Sequence, residues 1–471
     1  MQTGNCDGGA RAPKAKKHRM SSRFKVMLTM GALLTLTALL AACGGSSSSS
    51  SSEPPQSGET APVEGGSSTT EGASSETGGV SGEEVRKVLN ISSKDTGEGE
   101  KWNIGAVLAL TGPGAAYGKV MTRGIELASA QIKAAGGPEI SVEYKDHKSG
   151  NAQAGAQAGR ELGIAGTPAV LSSYAGVIGS LFPSLEQYKM LGVDPGGGTS
   201  DFGQGIPYFW GTRAIEPDDA FTGALKYWKA TDPSIKRVSM VFIDQGPINE
   251  TVEGNFKKAA EGVGLEDVGN YTTAIETSDY TSTIAKVKSS GAEAVYLFLI
   301  GEGIGNFMKQ YANAGLELPV IGSEFQPEAA KIAGPAIEKY DWATDWFFAN
   351  EPSNPWSELF VKSYQERFGE EAEVWSANFY ESTFLLWELY MRVKEEGGDV
   401  NSGEDLQKAL EKDPHFPSVY GGSANEVGEL SLSLKTHSVE SRPLAVLAYN
   451  GGEPKKLATF ELGGKNFQLV E

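Results

Sequence analysis

The sequence predicts an α/β protein of two successive lobes, each built on a parallel sheet. Three observations predict it. From about residue 101 onward, short apolar runs alternate with runs at helical spacing, which is the signature of βαβ units. Two such series follow one another, divided near Glu216-Pro217-Asp218-Asp219. Several apolar runs end in loops of Gly, Ser and Thr, at the carboxyl ends of strands, where open α/β sheets bind ligands.

Asn103 to Ala130 sets the pattern. Ile104, Ala106, Val107, Leu108 and Leu110 form a buried strand. Gly112, Pro113 and Gly114 stop it. Met121, Ile125, Leu127 and Ala128 then recur at helical spacing. Thr111 to Lys119 is the first candidate piece of a site, and equally an ordinary βα turn. Ile140–Tyr144 alternates as a strand, and Ala152–Ile164 is an Ala-rich helix. Ala169–Leu171 is a strand running into Ser172-Ser173-Tyr174-Ala175-Gly176. A helix over Leu181–Tyr188 and a brief strand, Leu191–Val193, follow, the strand ending in Asp194 to Ser200.

The second series has strands at Arg237–Ile243, Tyr271–Ile275, Ala294–Ile300 and Pro319–Gly322. Helices over Phe221–Lys229, Glu253–Glu261, Thr281–Ser289 and Phe307–Ala314 lie between them, with Gly315 as a C-cap. Pro355–Phe368 and Asn378–Glu395 add two long helices. Leu444–Tyr449 is an apolar strand, and Leu457–Phe460 is its partner across the Asn450-Gly451-Gly452 turn.

Composition narrows the function. The net charge is −19, from 41 Lys and Arg against 60 Asp and Glu. Such acidity argues against sequence-independent nucleic-acid binding, which needs cations to neutralise phosphates. Arg11, Lys14, Lys16, Lys17, Arg19, Arg23 and Lys25 form a basic stretch before the apolar run Val26–Leu40. That run is shorter than a bilayer span and ends in small residues, as a secretory signal does; Met20 is an alternative start. Leu40-Ala41-Ala42-Cys43-Gly44 resembles a bacterial lipobox, which implies a signal over 1–42, acylation of Cys43 and anchoring in the cell membrane on its extracytoplasmic face. The only other cysteine is Cys6, so the mature chain has no internal disulfide. Residues 43–99 are rich in Ser, Gly, Glu, Pro and Thr and read as a flexible linker.

From about Lys101 the order of motifs resembles the type I periplasmic-binding fold, close to leucine/isoleucine/valine-binding proteins of ABC transporters. The resemblance rests on Thr111-Gly112-Pro113 with Tyr117-Gly118, Gly124 to Ala128, Ala135-Gly136-Gly137, Asp146, the 172–176 loop, Asp279-Tyr280-Thr281, Gly315-Leu316 and Ser323-Glu324. It spans about four-fifths of the chain. It implies two Rossmann-like lobes joined by three hinge crossings, near Arg213–Pro217, Tyr340–Trp346 and Tyr420–Glu429. Lobe 1 is then about 100–215 with 345–420, and lobe 2 about 216–344 with 421–471. It further implies capture of a small solute and delivery to an ABC permease. Gly196-Gly197-Gly198 departs from the small residues that precede a Thr in many relatives. His437 and Pro443 are similar to the amide- and urea-binding branch, so that specificity stands as the alternative, as does a sensor that presents ligand to a receptor.

An amino acid needs donors for its carboxylate, and Ser172, Ser173, Tyr174, Ala175, Gly176 and Thr199 are the candidates. Its ammonium needs an acid in a water-poor cleft. The resemblance points to Glu324, with Glu302 and Asp244 as strand-end alternatives. Apolar walls would come from Tyr117, Tyr174, Phe325 and Trp375, whereas Trp342, Trp346, Phe347 and Phe348 read as core. His147, His415 and His437 sit in no catalytic motif, no Walker loop is present, and no metal-ligand cluster is evident. The expectation is therefore a binder without enzyme activity, cofactor or metal.

Overall fold

The computed structural model describes residues 81–197, 204–213, 218–246, 249–450 and 453–470. The expected signal, Cys43, most of the linker and Thr199 lie outside them. Among the described residues, no helix is long and apolar enough to cross a membrane.

The first series forms a five-stranded sheet. Its strands are β1 (Lys101–Leu108), β2 (Glu139–Asp146), β3 (Ala169–Ser172), β4 (Leu191–Asp194) and β5 (Phe209–Gly211), ordered β2-β1-β3-β4-β5. Every pairing is parallel. The connecting helices are α2 (Ala115–Ala134), α3 (Ala152–Ile164) and α4 (Ala175–Tyr188). Strands β3 and β4 are wholly buried, which explains why they carry no polar side chain before their last residues, Ser172 and Asp194.

After α5 (Asp218–Thr231) the chain builds an eight-stranded sheet. It contains β6 (Arg237–Ile243), β7 (Glu266–Thr273), β8 (Ala294–Phe298), β9 (Val320–Gly322) and β10 (Tyr340–Asp345), all parallel. The helices α6 (Asn249–Gly262), α7 (Thr281–Ser290), α8 (Glu302–Asn313) and α9 (Pro327–Ala333) alternate with them. At one edge of this sheet the pairing changes direction, with Leu444–Tyr449 and Leu457–Phe460 paired as the sequence predicts. There β14 (Pro443–Asn450), β15 (Glu453–Glu461) and β16 (Lys465–Leu469) add antiparallel strands beside β10.

Between the two visits to this sheet the chain returns to the first lobe. It forms α10 (Pro355–Phe368), α11 (Val374–Glu395) and α12 (Gly403–Lys412), then a small sheet of β11 (His415–Ser423), β12 (Glu426–Leu432) and β13 (Val439–Ser441). Helix α11 lies against α2 so closely that a Cβ on Gly124 would stand 2.3 Å from the Ser376 carbonyl oxygen. The Tyr420–Glu429 stretch, expected as the third crossing, is instead the turn of the antiparallel β11–β12 hairpin. The chain enters the large sheet only at Pro443. Ala424-Asn425 closes that hairpin, and Gly421 and Gly422, both at positive φ, lie in the irregular stretch of β11 just before it; the sequence alone does not distinguish such a glycine-rich hairpin from a hinge.

The linker was expected to run to residue 99. Its last part is instead structured. Helix α1 (Gly82–Val88) is capped by Ser81, whose Oγ accepts from Glu84 N, and Val85 is fully buried. Arg86 donates to the carbonyls of Ala135, Ile91 and Ser93. The Trp387 indole donates to the Thr96 carbonyl at 3.0 Å. Four apolar residues at Val85, Val88, Leu89 and Ile91 supply what the rest of the linker lacks, a face to bury.

Candidate functional site

A cleft of about 570 Å³, its open mouth included, lies where the strand ends of the two lobes meet. That suits a small solute. The first lobe contributes Tyr117, Gly150, Tyr174–Gly176, Gly196, Gly197 and Trp375, and the second Ile243–Gln245, Ile275, Phe298, Ile300 and Glu324.

Tyr117 sits in the first turn of α2, after a loop pinned to the end of β2. Thr111 Oγ1 donates to Asp146 Oδ2 at 2.5 Å, and Gly114 N donates to Ser149 Oγ at 2.9 Å. The loop cannot swell, because a Cβ on Gly114 would lie 1.9 Å from the Tyr174 hydroxyl. The Tyr117 ring meets Trp375 edge-on at 5.2 Å. Its hydroxyl accepts from Gly301 N of the second lobe at 2.9 Å, so one hydrogen bond already spans the lobes. Burial pushes the Tyr117 phenol well above its ordinary value, and the nearby Glu324 adds to this. It stays a neutral donor.

Tyr174 takes a positive φ of 69° and opens α4. Its hydroxyl is buried with no hydrogen-bond partner. Ala175 and Gly176, the first residues of α4, line the cleft, where the first N–H groups of a helix lack intrahelical acceptors. Ser172 and Ser173, expected as further carboxylate donors, are committed elsewhere. Ser172 donates to the buried Asp194, whose other oxygen accepts from Gly196 N at 3.0 Å and Gly197 N at 2.6 Å. Asp194 thereby shapes the glycine loop that forms the cleft floor. Ser173 lies 3.0 Å from His147 Nε2.

His147 is fully buried. Its Nδ1 accepts from Gly150 N at 3.0 Å, so its proton is on Nε2, directed at Ser173. Burial holds its pKa down to about 4. Between that value and the ordinary one near 6.5, the unfolded chain takes a proton that the folded chain refuses. Stability therefore falls as the pH drops through this window, by at most about 1.4 kcal/mol per pH unit from this group. Unfolding of the wild type and His147→Gln in urea at pH 4.5 to 7.5 checks this. The difference between the two should be steepest inside the window, and a constant difference would sink the assignment.

Glu324 follows β9. It is 6% exposed. Its Oε1 lies 3.7 Å from Arg213 Nη1, while its Oε2 has no hydrogen-bond partner. Burial raises its pKa, opposed by Arg213 and by the Tyr117 hydroxyl. The Arg213 guanidinium stacks over the Trp375 ring at 3.7 Å. Asp244 lies on the exposed rim, where Gly246 N at 2.9 Å and Asn249 Nδ2 at 2.7 Å hold its pKa down. The other strand-end acid, Glu302, stands exposed on α8 and does not line the cleft. Phe325, expected as a wall, turns away and stacks on Trp342 at 4.6 Å.

Phe325, Trp342, Phe347 and Phe348 line a second, larger cavity of about 1050 Å³. None of its lining side chains carries a buried polar atom without a partner, whereas the first cleft has two such groups, on Tyr174 and Glu324. Chemistry therefore favours the smaller cleft. Asp194 and Arg213, not foreseen as site residues, carry strand-end and hinge positions. Gln245, Ile275 and Phe298 give no local signal, because only the meeting of the lobes brings them to the cleft.

Residues 101–451 match the model of the periplasmic binding protein family. The Leu/Ile/Val-binding protein homolog 1 of Brucella suis is 24% identical over 339 residues, 70% of this chain and 87% of its own. Two solved structures share the fold. The branched-chain amino acid transporter substrate binding protein LivJ from Streptococcus pneumoniae, in complex with isoleucine, has a TM-score of 0.64 at 20% identity, covering 77% of this chain and 99% of its own. An ABC transporter solute binding protein from R. palustris, in complex with 4-hydroxybenzoate, has a TM-score of 0.66 at 20% identity, covering 77% and 98%.

Proposed function

Since the chain belongs to the periplasmic binding protein family, we propose that it is the extracytoplasmic solute-binding component of an ABC importer. It captures a branched-chain or related amino acid between its lobes and passes it to a membrane permease. The observation that carries this reading is the partnerless, buried Oε2 of Glu324. Among the described residues, the lining includes two carboxylates, Glu324 and Asp244, and no Lys or Arg. A cationic head at Glu324 is the chemistry such a lining favours. The α4 N-terminus at Ala175 and Gly176 suits a carboxylate. Ile243, Ile275, Ile300, Phe298 and Trp375 suit an apolar side chain. That His147 is buried and engaged on both ring nitrogens supports binding rather than catalysis. The lipobox-like stretch ending at Cys43 supports a lipid tether on the outer face of the cell membrane.

An aromatic acid is the second reading, favoured by the cluster of Tyr117, Tyr174 and Trp375. A thermal-shift panel of isoleucine, leucine, valine, small amides, urea and benzoate separates the readings, because a ligand specific to the folded state raises the melting temperature. The pH dependence adds a second criterion. Burial raises the pKa of the Glu324 carboxyl, which loses its hold on an ammonium once protonated. The isoleucine shift should therefore shrink as pH falls from 8 toward 4.5. A shift from benzoate alone, growing at lower pH, would replace the amino-acid reading.

A further inference from the structure

Three stretches of chain pass between the lobes, and each carries one member of a buried ion cluster. Arg213 follows β5, Asp345 ends β10, and Arg442 stands between β13 and β14. Arg213 Nε donates to Asp345 Oδ2 at 2.9 Å. Arg442 Nε lies 3.9 Å from Asp345 Oδ1, and Arg442 Nη2 donates to the Thr212 carbonyl. The same Nη2 reaches Glu381 Oε1 of α11 at 2.9 Å. Glu381 Oε2 in turn accepts from Ser418 Oγ at 2.6 Å and Val419 N at 2.8 Å. The near end of the cluster is Glu324, in the cleft.

Every member is at most 6% exposed. Three carboxylates face two guanidiniums, a formal charge of −1 held away from water. The cluster is also incompletely paired. Arg213 Nη2, Glu324 Oε2, Asp345 Oδ1, Arg442 Nε and Arg442 Nη1 are buried without hydrogen-bond partners. Buried polar atoms are nearly always satisfied, and a charge network with open valences is costly in low dielectric. Contacts at 3.7 and 3.9 Å would become hydrogen bonds after a movement of less than 1 Å.

We propose that Arg213 is a positioning residue that sets the two lobes relative to one another according to the charge held at Glu324, with Asp345, Arg442 and Glu381 anchoring it at the meeting of the three passages. The proposal rests on the reading that the solute carries a cationic head. In the structure Arg213 is shared between Asp345, at 2.9 Å, and Glu324, at 3.7 Å. A small turn at the passages brings Arg213 onto Glu324 as a two-pronged pair, and an ammonium on Glu324 Oε2 reverses this by neutralising the cluster and committing Arg213 to Asp345. Packed passages with two discrete pairings convert a local charge into a hinge movement.

The charged and titratable groups facing Glu324 are Arg213, Asp345, Tyr117, Tyr174 and Tyr340. Removing Arg213 removes the cation among them. In Arg213→Met, the pH midpoint of isoleucine binding should move up by about one unit or more, and Arg213→Lys should restore it. A purely structural role lowers affinity equally at every pH and leaves the midpoint in place, which would overturn the proposal. The full chain, with both native cysteines replaced by Ser and spin labels at Lys257→Cys and Lys408→Cys, reports the lobe separation. Isoleucine should narrow and shift this distribution in otherwise wild-type protein. Glu381→Gln with Arg442→Gln, which lies outside the cleft, should broaden it without ligand. An unchanged ligand-free distribution in that variant would overturn the hinge role even if isoleucine does not bind. Absence of isoleucine binding with an altered distribution would count against the functional reading alone.

Discussion

Glu324→Gln is expected to weaken isoleucine binding by about a hundredfold or more, while leaving the ligand-free protein folded. The substitution keeps the size of the side chain and removes its charge. A hydrogen bond to a charged group contributes about 1.5–3 kcal/mol, and more when both partners are desolvated; ~3 kcal/mol corresponds to roughly a hundredfold in affinity. Glu324 is 6% exposed with one oxygen unpaired, so that oxygen is open to a ligand. Stability should hold, because Arg213 keeps its bond to Asp345 at 2.9 Å and burial already disfavours the Glu324 carboxylate. Isothermal titration of both proteins at pH 8 is the check. An affinity within a few-fold of wild type would place the ligand's cation elsewhere, with Asp244 next in line.

The second large effect concerns stability. Val85→Asp is expected to destabilise the chain by about 3 kcal/mol, because it places a charge where nothing pairs with it. Val85 is fully buried against the end of α2, where a Cβ on Gly82 would stand 2.0 Å from the Ala134 carbonyl oxygen. The following residues clasp α11 as well, through Thr96 with Trp387 and through Lys394 with Asp95 at 2.8 Å. A chain starting at Lys101 should show a loss of similar size, since it uncovers the same faces. Urea unfolding of chains starting at Ser81 and at Lys101, beside the point variant, measures it. Equal midpoints for all three would mean that α1 lies on the lobe without supporting it. The same clasp makes Ser81 the sensible start for a soluble fragment.

The fold was legible because its cues are local. Ala294 to Phe298 could only be a buried strand, and the glycine-rich stretch after Leu108 could only interrupt one. Glu324 was legible through its place after a strand, in a motif order resembling a known family. The roles of Ser172 and Ser173 were not, because a hydroxyl reads the same whether it faces a ligand or an internal acid. Asp194 and His147, from distant parts of the chain, decided that. Glu302, the alternative, also follows a strand end, yet α8 carries it to the surface.

By itself, the sequence determined the α/β class, the two series of strands and helices, and the acidic character of the chain. These depend on periodicity and composition, which act over a few residues or over the whole. Only the tertiary structure decided which acid faces the cleft and where the third passage runs. It also decided that residues 81–100 pack on the first lobe, and that Arg213, Asp345 and Arg442 meet. Those facts depend on contacts between segments distant in the chain, where desolvation and pairing are set by neighbours that no local pattern names.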